Sequence, residues 1–178
     1  MKSPRIAIAA LVLSAVGFSG IALQEGYTSK AVRPVPGDVP TYGLGSTTRA
    51  DGKPVQMNDT ITPPAAIALA VRDVSAKESA LKGCITVPLH QHEYDAYVSL
   101  AYNVGAGAVC KSSIPKKLAS GDYASACKTI LDFDGFRDCS KPMVKNPRTG
   151  KWECPLVRLG GLTKRRQQEY RMCLGDAQ

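Results

Sequence analysis

The chain has 178 residues, with 23 Lys and Arg against 15 Asp and Glu for a net charge of +8. Once the apolar N-terminal stretch is set aside, the roughly 155 remaining residues suffice for one domain with a substantial core. The charge favours a polyanionic partner such as anionic lipid or an acidic wall polymer. No dense Lys/Arg tract or aromatic-basic alternation supports nucleic acid, and Lys164-Arg165-Arg166, the densest basic run, reads as a solvated helix face.

Residues 6–23 carry no charge and follow Lys2 and Arg5. As one helix they would reach about 27 Å, barely a hydrocarbon core. Five Ala, two Gly and two Ser dilute nine large apolar residues, whose insertion free energy sums to about −3 to −5 kcal/mol. Two readings stay open. A retained signal anchor, with the N-terminus cytoplasmic and all beyond Leu23 outside, is favoured because no A-x-A ending is present. A cleaved signal peptide shares the basic start and small residues. The expected division is therefore 1–23 as signal anchor and 24–178 as the folded domain.

Next, a short helix is predicted over 25–31, stopped by Pro34 and Pro36. Prolines, glycines and alternating apolar residues over 35–48 predict a small hairpin sheet. Thr62-Pro63 reads as an N-cap with proline at the first helical position, opening a helix to residue 82. Further helices are predicted over 91–102, 113–118, 123–131 and 163–174, with residues 139–154 as a loop or hairpin. No repeat and no second domain is evident. The fold class is α+β: a small N-terminal sheet and a mainly helical C-terminal lobe, preceded by a hydrophobic helix.

Six cysteines, Cys84, Cys110, Cys127, Cys139, Cys154 and Cys173, all follow the apolar segment, and none shows C-x-x-C spacing. An even number beyond an export signal reads as disulfides. Six cysteines allow about fifteen pairings. The favoured set joins Cys127 to Cys173 between two predicted helices and Cys139 to Cys154 across the loop, which leaves Cys84 with Cys110. His90-Gln91-His92 lacks a third ligand at useful spacing, so neither a metal nor a cofactor is expected. No Ser/His/Asp arrangement has a supporting motif.

Four motifs occur in order: Glu25-Gly26, Thr41-x-Gly43-x-Gly45, Ala101-Tyr102-Asn103-Val104-Gly105 and Gly161-Leu162-x-x-Arg165-Arg166. Together they resemble the phage-type lysozymes of glycoside hydrolase family 24, and the N-terminus is similar to that of signal-anchor-release endolysins. The resemblance implies a lysozyme-like fold and muramidase action on peptidoglycan glycan strands. It also implies a start in the host inner membrane, release linked to a holin or pinholin, and work in the periplasm; a monomer is the default for a glycan-cleaving enzyme of this size. Glycoside hydrolysis needs a carboxyl that protonates the leaving oxygen and a second acid on the opposite side. Glu25 matches the family's proton donor, and a partly buried glutamate can hold its proton near neutrality.

At the family's usual second-acid position this chain has Pro34, and Asp38 is the sole acid between Glu25 and Thr41. Asp38 is therefore the expected second carboxylate, with Thr41 positioning water. Gly43 and Gly45 would thin the cleft floor, Asn103 would bond an N-acetyl group, and Arg165 and Arg166 would be structural or face acidic polymer. A different reading fits charge, cysteines and export signal equally well: a secreted, disulfide-stabilised cationic protein that binds cell wall without catalysis.

Overall fold

The computed structural model describes residues 4–33, 39–147 and 150–176. The apolar N-terminal segment is not one helix. Ile6 forms an antiparallel bridge with Leu89, residues Ile8–Ala10 make a 3-10 turn, and a helix, α1, begins only at Ala15 and runs Ala15–Glu25. Body carboxylates break the run by taking backbone donors ahead of α1. Leu13 N–H bonds Glu78 at 2.7 Å and Ser14 N–H bonds Asp95 at 3.0 Å. Ser14 Oγ donates to Asp95 at 2.5 Å and accepts from Gly17 N–H at 3.0 Å, which caps the helix. Gly17 has no side chain where one would meet Asp95 Cγ at 3.0 Å, so α1 can lie close against that carboxylate.

Ile8, Leu11 and Ile21 are all buried in the main core, so the segment before residue 24 packs as part of the globule. Its other face, with Val16 and Leu23 about four-fifths exposed, points outward. Among the described residues no helix is long and apolar enough to cross a membrane.

Gly26, at φ +67°, ends α1. The chain then turns into strand β1 (Thr28–Val32), where a helix over 25–31 is predicted from sequence. Pairing overrides propensity here: β1 is antiparallel to β2 (Thr41–Gly43), with Thr28 opposite Gly43 and Val32 opposite Thr41. This sheet covers a small core of Ala31, Tyr42, Val55 and Leu69. Helix α2 (Pro63–Cys84), about 33 Å long, joins the two lobes: Leu69 packs in the small core, Val74 and Leu81 in the large one.

At the centre lies α3 (Gln91–Val104), whose residues from Glu93 to Ala101 are all buried. The sequence shows one apolar face, but α1, α2, α4 (Ala106–Lys111) and α7 (Gly160–Leu174) enclose the helix on every side. Helices α5 (Ile114–Ala119) and α6 (Tyr123–Thr129) complete the lobe. Between α6 and α7 runs a stapled arm in which β3 (Gly135–Arg137) pairs with β6 (Leu156–Arg158), and β4 (Val144–Lys145) with β5 (Trp152–Glu153). Disulfides join Cys84 to Cys110, Cys127 to Cys173 and Cys139 to Cys154, the set favoured from sequence. They tie α2 to α4, tie α6 to α7 and close the arm.

If residues 6–23 are integral to this core, Ile21→Ala removes a buried side chain and lowers stability by about 2–5 kcal/mol. Urea unfolding of the oxidised protein measures this, and an unchanged midpoint would mean the segment lies outside the cooperative unit.

Candidate active site

Glu25 is the last residue of α1, and its carboxylate is held from across the fold. Arg165 on α7 donates Nη1–H to Glu25 Oε1 at 2.7 Å, joining residues 140 apart in sequence. Arg165 is itself buried, 6% exposed. Arg165 Nε–H reaches Glu169 Oε1 at 3.2 Å, an oxygen that also accepts Ser99 Oγ–H at 2.8 Å and Arg166 Nη2–H at 3.0 Å. Two arginines and two glutamates thus form one largely buried cluster. Burial pushes Glu169 above the usual carboxylate range against the pull of Arg166 and Arg165, and burial pushes Arg166 down from the usual guanidinium value. The basic run 164–166 is therefore not a solvated face, because Arg165 and Arg166 point into the core.

The other oxygen of Glu25 lies against Gly45. A Cβ at Gly45 would sit 3.1 Å from Oε2, and the backbone there has φ +87°, a conformation that glycine alone adopts freely. The turn carrying Gly45 is closed by reciprocal backbone bonds between Tyr42 and Ser46. It is fixed to the large lobe by Tyr102, whose hydroxyl donates to Leu44 carbonyl at 2.8 Å. Burial raises the Tyr102 phenol far above its ordinary value, so it stays a donor. On the α2 side, Ser46 Oγ–H bonds Asp73 at 2.7 Å, while Arg72 bonds the Arg49 and Thr48 carbonyls and Asp73.

A cavity of about 320 Å³ opens between these parts, lined by Glu25, Gly45, Thr47, Thr48, Asp73, Ala76, Lys77, Tyr102 and Asn103. Of the residues expected from sequence, Glu25, Gly45 and Asn103 meet here. Thr41 is half-buried in β2 and does not line it; Asp38 lies outside the described residues. Gly43 has a different role from the one expected. Its missing side chain would meet Ala66 Cβ at 2.9 Å, so the glycine lets the sheet close onto α2 rather than thinning the cleft floor. Sequence reasoning missed Asp73, Lys77, Thr47 and Thr48, for which no local motif stands out, and did not foresee Arg165 as the partner of Glu25.

Replacing Arg165 with Met leaves Glu25 without its charge partner and Glu169 with Arg166 alone, in a mostly dry setting. Stability should fall by about 3–5 kcal/mol, read from urea unfolding. A loss below ~1 kcal/mol, the range of an exposed pair, would show that the cluster is open to water.

The family model for phage lysozyme matches residues 22–169. The endolysin of Salmonella phage P22 is 33% identical over 119 residues, covering 67% of this chain and 81% of its own. The solved endolysin from Escherichia coli O157:H7 phage FAHEc1 superposes with a TM-score of 0.77 at 29% identity, over 93% of this chain and 94% of that one. P1 phage endolysin Lyz provides two comparisons of fold alone. Its active form, 20% identical, gives a TM-score of 0.69 over 98% of this chain and 97% of its own; its secreted inactive form, 18% identical, gives 0.51 over 92% and 96%. With Glu25, Gly45 and Asn103 lining one cleft and Arg165 bonded to Glu25, the chain belongs to the phage lysozyme family.

Proposed function

We propose that the lysozyme chemistry of this chain is a muramidase reaction on the β-1,4 bond between N-acetylmuramic acid and N-acetylglucosamine. The chain is a lytic, peptidoglycan-hydrolysing endolysin, as its family and its relatives named endolysins support. The observation that carries the reading is Glu25 at the mouth of a cleft, with one oxygen fixed by Arg165 and the other free to face a ligand past Gly45.

In this mechanism Glu25 gives its proton to the glycosidic oxygen as the bond breaks, and Asn103 bonds an N-acetyl group. A second carboxylate activates water from the opposite face, which for inversion requires the two acids to be roughly 6.5–9.5 Å apart. Asp38, with Thr41 orienting the water, is the assignment favoured by motif order. Asp73 competes because it lines the same cavity as Glu25.

Digestion of purified peptidoglycan with muropeptide analysis tests all of this. Wild type should yield reducing-end N-acetylmuramic acid, and Glu25→Gln should lose about 100-fold or more in rate. Whichever of Asp38→Asn and Asp73→Asn loses activity comparably is the second acid. Reducing-end N-acetylglucosamine would reassign the bond, and no cleavage by folded wild type would favour a wall-binding protein.

The proposal extends to control. Residues 6–23 first span the inner membrane, N-terminus inside, and leave it when a holin or pinholin acts; the enzyme then works in the periplasm as a monomer. Support comes from the uncharged segment. Spanning needs one helix of ~20 residues, whereas docking folds the same residues into a bridge, a turn and the eleven-residue α1. The two arrangements exclude one another, and the Arg165–Glu25 pair belongs to the docked one. Ser19 is exposed and a Cβ at Gly20 meets nothing within 4 Å. Ser19→Leu with Gly20→Leu therefore strengthens the membrane state without disturbing docking. Lysis should be delayed in timed induction, and unchanged timing would remove this control.

A further inference from the structure

The stapled arm of residues 135–158 has no part in the cleft. It leaves the body at Asp134 and returns at Leu159, whose N–H bonds the Asp134 carbonyl at 3.0 Å, while the Arg158 guanidinium pairs with the buried Asp134 carboxylate. None of its described residues belongs to either hydrophobic core. The Cys139–Cys154 bridge and an Arg137–Glu153 ion pair at 2.9 Å hold its strands together. Stiffness without burial is the first sign of a contact surface.

Its exposed side chains are the second. Trp152, the sole tryptophan of the chain, is 65% exposed, and Phe136, Met143 and Val144 are about half exposed. The lone tryptophan thus stands outside, on the tip strands, rather than in a core that would reward its burial. Lys145 lies directly opposite Trp152 in the β4–β5 pair, so the two share a face. In sequence the arm holds six cations (Arg137, Lys141, Lys145, Arg148, Lys151, Arg158) against two acids (Asp138, Glu153), a net +4.

The alternation of the strands decides the class of partner. Trp152 shares the face of Lys145, whereas Val144 lies opposite Glu153 on the other face. The apolar groups are thus divided between two faces and interrupted by charge, unlike the continuous apolar face that enters a bilayer. A flat ring beside an ammonium suits a sugar that carries a carboxylate: the ring stacks on the pyranose C–H face, and the ammonium pairs with the acid.

We propose that this arm is a second, non-catalytic contact for peptidoglycan. Trp152 stacks on a sugar of the glycan strand, and Lys145 pairs with a carboxylate of the same strand or its peptide. The inference rests on the reading that peptidoglycan is the substrate, and adds a holding site away from the bond that is cut.

Because Trp152 is the sole tryptophan, its emission reports this arm alone. Full-length oxidised protein carrying Glu25→Gln should show a saturable emission change with soluble peptidoglycan fragments and a weaker one with chitin oligomers of equal length, which lack carboxylates. An equal response to chitin would overturn the role of Lys145. In the same background, Trp152→Ala and Lys145→Ala should each reduce sedimentation with sacculi about tenfold, equivalent to ~1.4 kcal/mol. In the Glu25-containing protein both variants should cleave short soluble glycans at the wild-type rate. Unchanged sedimentation, or emission that answers phosphatidylglycerol vesicles but not peptidoglycan fragments, would overturn the proposal. Failure of wild type to cleave glycan would sink the muramidase reading instead, while sedimentation still decides the arm.

Discussion

The Arg165 guanidinium ties the Glu25 carboxylate of the candidate site to the core. A buried cation is tolerable where its charge is matched, and here Glu25 takes Nη1 and Glu169 takes Nε. Glu169 is in turn held by Ser99 on α3 and by Arg166. The position of the Glu25 carboxylate is thus set by the innermost helix of the protein rather than by the surface loop that follows it. This rigidity suits a reaction in which an ångström of displacement weakens proton transfer.

The same logic operates at the other end of α1. Asp95, also on α3, holds Ser14 through its N–H and hydroxyl, and Gly17 allows the close approach. One helix is therefore fixed to α3 directly at its start and through Arg165 and Glu169 at its finish. All of these contacts are non-covalent, and the three disulfides lie elsewhere, beyond residue 83. A segment held this way can dock after the cross-linked body has formed, since no covalent step commits it.

The disulfides divide the labour of stabilisation. Cys127–Cys173 closes a loop with a sequence separation of 46 inside the main core, where restricting the unfolded chain is worth about 4 kcal/mol in the entropic picture. Cys139–Cys154 instead stiffens an arm that has no core of its own. Two-stranded ribbons are marginal alone in water, so this bridge does for the arm what packing does for the helices.

Local chemistry in the sequence marked out much of this protein. The Thr62-Pro63 start of α2, the helical spacing in α3 and α7 and the glycines of the β2 turn depend on neighbours within a few residues, whereas the cysteine pairs span 15 to 46 residues and Glu25 as the proton donor candidate came from motif order. Four motifs in order carried the family resemblance. Tertiary structure alone decided the rest. It folded an apolar run that reads as one membrane helix into a bridge, a turn and α1, because Glu78 and Asp95 from distant helices claimed its backbone donors. It turned a basic run into a buried ion cluster by setting Glu25 beside Arg165, and it gave Gly43 to packing and Gly45 to the site. Periodicity and capping act over one or two turns of chain, whereas a charge pair formed across 140 residues exists only once the core has brought its partners together.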